Sequence, residues 1–229
     1  MTVMPPDAPD AKLRWEDGDV PVSERFADPY YSRTDGLAES CHVFLDGNDL
    51  AARFRSATST FHIAELGFGT GLNMLAAVAL WRRISPAAQL RLTSFEAYPL
   101  RRGDMARALS RWPELAGIAR ELLAAWPASR IELSGVELTI VEGDVAGTLT
   151  HWNGQADAWF LDGFAPSRNP EMWSPEVLRA VAGSTARGGT FATYSAAGFV
   201  RRGLQAAGFE VAKRPGFGSK REMLTGRKI

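Results

Sequence analysis

The sequence predicts an α/β fold: a mostly parallel sheet with an antiparallel C-terminal strand, preceded by a small N-terminal β extension. Three observations predict it. An apolar run, Phe61–Leu66, leads through a glycine turn into an apolar helix. From residue 61 onward, strand-like and helix-like patterns alternate. The chain closes with two short apolar segments flanking Pro215-Gly216-Phe217-Gly218, the pattern of a strand pair.

The first dozen residues, rich in Pro and Asp, are expected to be loose. Leu13-Arg14-Trp15 and Val20-Pro21-Val22 flank Asp17-Gly18, which is a hairpin signal. They open an extension expected over residues 13–60, in which Asp28–Ser32 reads as an aromatic loop. The main domain is expected over residues 61–229. Its first strand is Phe61–Leu66, and its first helix, Leu72–Ile84, stops before Pro86. Leu90–Glu96 is the second strand. Pro99 and Pro113 each stand where a helix starts, the second helix ending near Trp126-Pro127. Glu137–Val141 and Asp157–Asp162 are the third and fourth strands. Pro175–Ala182 is helical, and Gly188-Gly189 leads into a fifth strand, Thr190–Tyr194. A helix over roughly Ala196–Ala207 is stopped by Gly208, and Phe209–Ala212 with Glu222–Thr225 forms the terminal pair. There is no internal repeat.

The chain has 229 residues, 45% apolar and 23% charged, the composition of an ordinary globular protein with one large domain and room for an appendage. No run approaches ~20 apolar residues, so no transmembrane helix is expected. The N-terminus lacks a basic-then-apolar signal pattern. Cys41 is the single cysteine, so no internal disulfide forms, and a reducing cytoplasm is the expected location. Net charge is zero but unevenly spread: residues 1–28 carry −4 and residues 201–229 carry +6. A basic end on a neutral chain permits a polyanionic partner, and equally describes a solvated surface.

The glycine turn is Glu65-Leu66-Gly67-Phe68-Gly69-Thr70-Gly71, followed by Leu72-Asn73. A strand, a glycine turn and a helix N-terminus together make a nucleotide-binding loop. Its G-x-G-x-G spacing differs from the dinucleotide G-x-G-x-x-G and suits S-adenosylmethionine better. Missing side chains let the backbone approach a ligand, and Glu65 stands where a cationic methionine amine would be met. Ligands of open parallel sheets bind beyond the carboxyl ends of the strands. Glu65, Glu96, Asp144 and Asp162 all fall there. Glu96 is placed to accept from ribose hydroxyls, and Asp144 from an adenine amino group. Each acid alone could equally be a cap or turn residue; four in succession beside the glycine loop point to an adenosine-containing cofactor.

The fourth strand runs into Asp162-Gly163-Phe164-Ala165-Pro166. Nitrogen methylation needs a free lone pair, whereas an alkylamine is mostly protonated near neutral pH. A carboxylate at a strand end can orient the ammonium and accept its proton, which makes Asp162 the candidate base. Phe164 would wall the pocket and stack on a planar base. The Cys41-His42 pair lacks a nearby third ligand, so no metal site is expected. His62 reads as a core histidine, and His151 as closing a helix.

These motifs closely resemble those of the tRNA 5-aminomethyl-2-thiouridine methyltransferases: MnmD and the N-terminal methyltransferase domain of bifunctional MnmC. The resemblance runs from about Trp15 to Gly226. Its most specific stretches are Asp157–Pro166, Gly198-Phe199-Val200-Arg201-Arg202-Gly203-Leu204 and Lys220-Arg221-Glu222-Met223-Leu224. It implies a Rossmann-like class I methyltransferase sheet using S-adenosylmethionine. The implied reaction is methyl transfer to the side-chain amine of 5-aminomethyl-2-thiouridine at the tRNA wobble position. The family's motif acid falls on Asp162, and its cofactor glycines on Gly67, Gly69 and Gly71. The cofactor set is thus Glu65, Gly67, Phe68, Gly69, Thr70, Gly71, Asn73, Glu96, Asp144 and Asp162. Bifunctional members continue into a flavin-dependent oxidase that this sequence does not reach. No FAD chemistry is therefore expected here, and a separate oxidase or other aminomethyl-forming enzyme would supply the substrate.

An anticodon base must leave its stack to reach a buried donor, and Arg201, Arg202, Lys220 and Arg221 are candidates for the phosphates around it. Three rival readings differ in what they need. A small-amine methyltransferase on the same sheet would need no basic surface. An NAD-dependent dehydrogenase is disfavoured by the glycine spacing. A non-catalytic RNA-binding module is disfavoured by the strand-end acids.

Overall fold

The computed structural model describes residues 11–229, so most of the N-terminal stretch expected to be loose lies outside the described residues. Strands β1 (Leu13–Glu16), β2 (Val20–Ser23) and β3 (Asp28–Pro29) make a small antiparallel sheet. Asp17-Gly18 turns the hairpin as expected, and β3 takes two residues from the predicted aromatic loop. The rest of the extension is not β. It comprises α1 (Gly36–Ser40), a π-helical turn (Cys41–Asp46) and α2 (Leu50–Arg55). These helices are five or six residues long and are interrupted by Gly47-Asn48-Asp49, so no helical period is long enough to register in the sequence.

The main domain follows the predicted alternation. It runs β4 (Phe61–Leu66), α3 (Leu72–Ile84), β5 (Leu90–Glu96), α4 (Arg102–Leu109), a 3₁₀ turn (Pro113–Leu115) and α5 (Ala116–Ala125). Then come β6 (Arg130–Glu132), β7 (Glu137–Glu142), α6 (Val145–Thr150), β8 (Ala156–Leu161), a second 3₁₀ turn (Glu171–Trp173) and α7 (Pro175–Gly183). The chain closes with β9 (Thr185–Thr193), α8 (Gly198–Ala206), β10 (Phe209–Pro215) and β11 (Glu222–Lys228).

Two boundaries moved for identifiable reasons. Helix α4 starts at Arg102 rather than Pro99, because Leu100 is buried and its carbonyl accepts from the Trp126 indole at 2.9 Å, holding the link extended. Strand β9 begins before Gly188-Gly189, which form a bulge against β8 rather than a loop. Helix α6, whose end the sequence placed at His151, is six residues long, and Asp144 caps its start by accepting from Ala146 N at 2.9 Å.

The eight-stranded sheet has the order β10-β11-β9-β8-β4-β5-β7-β6. Strands β9, β8, β4, β5 and β7 are parallel; β11 is antiparallel to β9 and β10, and β6 is antiparallel to β7. Period-two alternation divides the apolar side chains between two cores. Ile63, Ala158 and Phe160 face one cluster with α3 and α5; Ala64, Leu66, Trp159 and Leu161 face the other with α7 and α8. All six residues of β4 are buried, as both faces are covered. The order reverses beside β4, so the crevice for a ligand opens beyond the carboxyl ends of β4 and β8. Among the described residues, no helix is long and apolar enough to cross a membrane.

Gly67 joins those two strand ends. Its φ is +84°, and a Cβ there would lie 2.5 Å from the Asp162 carbonyl oxygen. Gly103, in α4, has open space around it. Gly67→Ala is therefore expected to destabilise by at least ~1 kcal/mol, a fall in Tm of about 2–4 °C or more. Gly103→Ala is expected to be neutral or to stabilise by up to ~1 kcal/mol. Thermal melts of the two variants check both signs.

Candidate active site

A cavity of about 600 Å³ opens at the predicted crevice. Gly67, Phe68, Gly69, Thr70, Asn73, Glu96, Asp144, Asp162, Phe164 and Lys220, all singled out from the sequence, line it. The glycine loop forms one wall. Gly69 sits at φ +53°, and a Cβ there would meet the Tyr30 ring at 3.0 Å. The Phe68 ring stacks on Trp126 with centroids 5.3 Å apart, which fixes the loop from behind.

Glu96 accepts from Gly69 N at 2.8 Å on one oxygen and from Tyr98 N at 2.7 Å on the other. Burial raises its pKa, and these backbone donors oppose the rise. The backbone amides of Phe68 and Ala97 also favour its ionised form. Asp144 combines the two readings that the sequence left open: one oxygen caps α6, while the residue also lines the cavity.

Two of the residues assigned to the cofactor, Glu65 and Gly71, stand behind the cavity wall. Glu65 does not line the cavity. It is fully buried, and its oxygens accept from Asn73 Nδ2 at 3.0 Å and Ser94 Oγ at 2.7 Å. Burial pushes its carboxyl well above the usual range, and its contact with the cavity floor runs through Asn73. Gly71 does not line the cavity either. It stands at the N-terminus of α3 with φ +81°, and a Cβ there would press on the rings and methyls of Phe68 and Leu122.

Asn73 is the hub of the cavity floor. Its amide nitrogen donates to Glu65 and, at 2.6 Å, to Asp162 Oδ2. The Ser40 hydroxyl donates to its carbonyl oxygen at 2.6 Å. Asp162, at the end of β8, is raised to about 7, chiefly by burial, while the Asn73 hydrogen bond pulls the other way. Glu39 and Asp28 add to the rise, and Lys220 opposes it.

The loop after Asp162 is held from the N-terminal extension. Asp28 Oδ2 accepts from Ala165 N at 2.9 Å. The Phe164 ring is stacked on Phe26 with centroids 4.6 Å apart and meets Tyr30 edge-on at 5.1 Å. Phe164 walls the cavity as expected, with one face already occupied by protein. Phe26, Asp28, Tyr30, Glu39, Ser40 and Tyr194 were all missed as site residues. Their only sequence signal was the Asp28–Ser32 aromatic stretch, since their convergence depends on the extension folding back over β4 and β8.

Of the basic candidates, Lys220 reaches the cavity and pairs with Glu39 at 2.8 Å. Arg201, Arg202 and Arg221 do not line it; Arg202 and Arg221 are exposed, and Arg201 is half-buried. His42 contacts the Pro215 carbonyl at 2.9 Å. His62 is a core histidine paired with Thr93 at 2.9 Å, and His151 closes α6, as expected.

The residues fit an adenosine-containing sulfonium donor: side-chain-free backbone at Gly67 and Gly69, carboxylates at Glu96 and Asp144, and a recessed carboxylate at Asp162. A family model described as S-adenosyl-L-methionine-dependent methyltransferase matches residues 113–229. The chain is 49% identical over 226 residues to the tRNA 5-methylaminomethyl-2-thiouridine biosynthesis bifunctional protein MnmC of Hahella chejuensis, covering 94% of this chain and 36% of that protein. Identity to the protein of the same name from Caulobacter vibrioides is 49% over 229 residues, covering 96% and 38%. The chain thus spans little more than a third of the length of these curated relatives. The crystal structure of MnmC2 from Aquifex aeolicus shares the fold with a TM-score of 0.73 at 22% identity, covering 96% of this chain and 71% of that one.

Asp162 is raised above the 3.8 of an ordinary aspartate, so the native chain holds a proton that the unfolded chain releases between about pH 4 and 7. Stability from this group falls as pH rises through that window. Asp162→Asn is therefore expected to gain stability relative to the parent between those pH values, read from denaturation midpoints. Asn73→Ala removes a donor to the ionised form and is expected to move the Asp162 titration to higher pH, read by carboxyl carbon NMR.

Proposed function

The chain belongs to a family of S-adenosyl-L-methionine-dependent methyltransferases, and from that premise we propose that it methylates the amine of 5-aminomethyl-2-thiouridine at the tRNA wobble position. The product is the 5-methylaminomethyl nucleoside. The fold is the expected Rossmann-like class I arrangement, with its antiparallel C-terminal strand and N-terminal extension. The observation that carries the proposal is Asp162: a carboxyl raised to about 7, at the end of β8, on the floor of the cavity beneath the glycine loop. The printed names of the Hahella and Caulobacter relatives support the choice of nucleoside.

S-adenosylmethionine supplies an electrophilic methyl group on a positively charged sulfur. The chain's own residues prepare the nucleophile. Asp162 receives the substrate's ammonium, and a base near 7 takes its proton at neutral pH without being mostly protonated beforehand. A nearby positive charge favours the ionised form of Asp162 further. Asn73 holds Oδ2 in place by the 2.6 Å hydrogen bond, so the other oxygen faces the amine. Phe26, Tyr30 and Phe164 form an aromatic wall that excludes water from the amine. The exposed Arg202 and Arg221, with the half-buried Arg201, hold phosphates around the extruded base. The primary amine comes from a preceding enzyme, a separate oxidase among the possibilities, and this work on tRNA places the protein in the cytoplasm.

Nucleoside mass spectrometry of tRNA incubated with the protein and labelled donor tests the proposal. Label in the 5-methylaminomethyl nucleoside is the expected result. Equal methylation of a small free amine, or none of tRNA, would overturn it. Asp162→Asn is expected to retain donor binding while single-turnover methyl transfer drops about 10²–10⁴-fold. Charge reversal at Arg201 and Arg202 is expected to raise KM for tRNA and leave donor affinity unchanged, read by steady-state kinetics and calorimetry.

A further inference from the structure

We propose that Glu39 and the face of Tyr194 form the binding site for the substrate's primary ammonium group, and that Lys220 occupies this site in the free protein. The inference rests on the amine-methylation reading above.

Three elements build the site. Glu39 comes from α1, is 8% exposed, and pairs with Lys220 Nζ at 2.8 Å. Tyr194 follows β9, and its hydroxyl donates to the Gly163 carbonyl, which fixes the ring beside the residue that follows Asp162. Lys220 Nζ stands 3.8 Å from the Tyr194 ring centroid, the geometry of a cation–π contact. All three side chains line the same cavity as Asp162. The arrangement is an ammonium held by one aromatic face and one buried carboxylate, with the candidate base in the same chamber. Glu39 raises the Asp162 pKa and Lys220 lowers it.

The three residues differ in how firmly they are held. Glu39 and Tyr194 belong to the packed interior, whereas Lys220 reaches in from the turn between β10 and β11 with its side chain 41% exposed. Lysine is therefore the part able to leave. Its departure strands a buried carboxylate, which is strongly unfavourable unless another cation takes its place. A primary alkylammonium has the same charge and the same three donors as the lysine head group. Exchange of one for the other conserves both the ion pair and the cation–π contact. It also delivers the amine to the chamber that holds Asp162. The cage thereby selects wobble uridines that carry an amine over those that do not.

The test compares two anticodon stem-loop RNAs differing at one base, 5-aminomethyluridine or 5-methyluridine, bound to the full chain with S-adenosylhomocysteine present to prevent turnover. Both RNAs carry the same phosphates, so the ratio of their affinities reports recognition of the amine, and the variants separate the part that Glu39 contributes from that of Asp162. The parent protein is expected to favour the amine-bearing RNA about tenfold or more, the scale of a charge-assisted contact. Glu39→Gln is expected to abolish most of that preference. Lys220→Met is expected to enlarge it, because the internal competitor is gone. The double variant leaves no unpaired charge and is expected to match Glu39→Gln, which keeps the test valid if Lys220→Met folds poorly. No preference in the parent, an unchanged preference in Glu39→Gln, or a smaller one in Lys220→Met would overturn the inference. Methyl incorporation into tRNA is scored separately: its presence alongside any of those results defeats the ammonium cage and leaves the methyltransferase reading standing.

Discussion

One amide nitrogen, that of Asn73, donates to the carboxylates of both Glu65 and Asp162, and the geometry of the cavity floor depends on it. Two buried acids this close repel if both ionise, and each resists ionisation by itself because burial removes its hydration. Asn73 offers a neutral donor to both. Ser94 completes Glu65, and Ser40 fixes the amide's orientation from the other end. The outcome is asymmetric: Glu65 is held far above the usual carboxylate range, while Asp162 is left near neutrality with access to the cavity. Two acids at neighbouring strand ends thus acquire different surroundings, one sealed behind the cavity and one opening into it.

The same network explains why the N-terminal extension belongs to the site. Ser40 and Glu39 are adjacent in α1, one orienting Asn73 and the other pairing with Lys220. Asp28 pins Ala165, and Phe26 and Tyr30 pack on Phe164. A bare α/β sheet would offer the glycine loop and the strand-end acids but leave the loop after Asp162 without these supports. The extension converts an open crevice into a chamber with an aromatic wall, where a charge is worth more than in water.

Much of the fold was legible in the sequence because it follows from periodicity. Phe61–Leu66 reads as a doubly buried strand because every one of its residues is buried, and Leu72–Ile84 reads as a helix because it is long enough to show its period. The glycine loop was legible for a different reason: its positive-φ positions, Gly67, Gly69 and Gly71, admit few other residues. Helices α1 and α2 were not legible, being five or six residues long and fixed by tertiary contacts and caps.

By itself, the sequence determined the parallel sheet, the strand ends at which a ligand sits, the glycine loop, and Asp162 as the acid beyond the fourth main-domain strand. Those features rest on local patterns and on topology rules that any such pattern must obey. Tertiary structure alone decided which strand-end acid faces the cavity and which is buried behind it: Glu65 pairs within β4 opposite Phe160, whereas Asp162 lies just past Leu161, the last residue of β8. It also decided that Lys220 lies beside Glu39, 181 positions away in the chain, rather than on an outer surface. Burial and long-range pairing set the charge state of a carboxyl, and neither leaves a trace in the residues adjoining it.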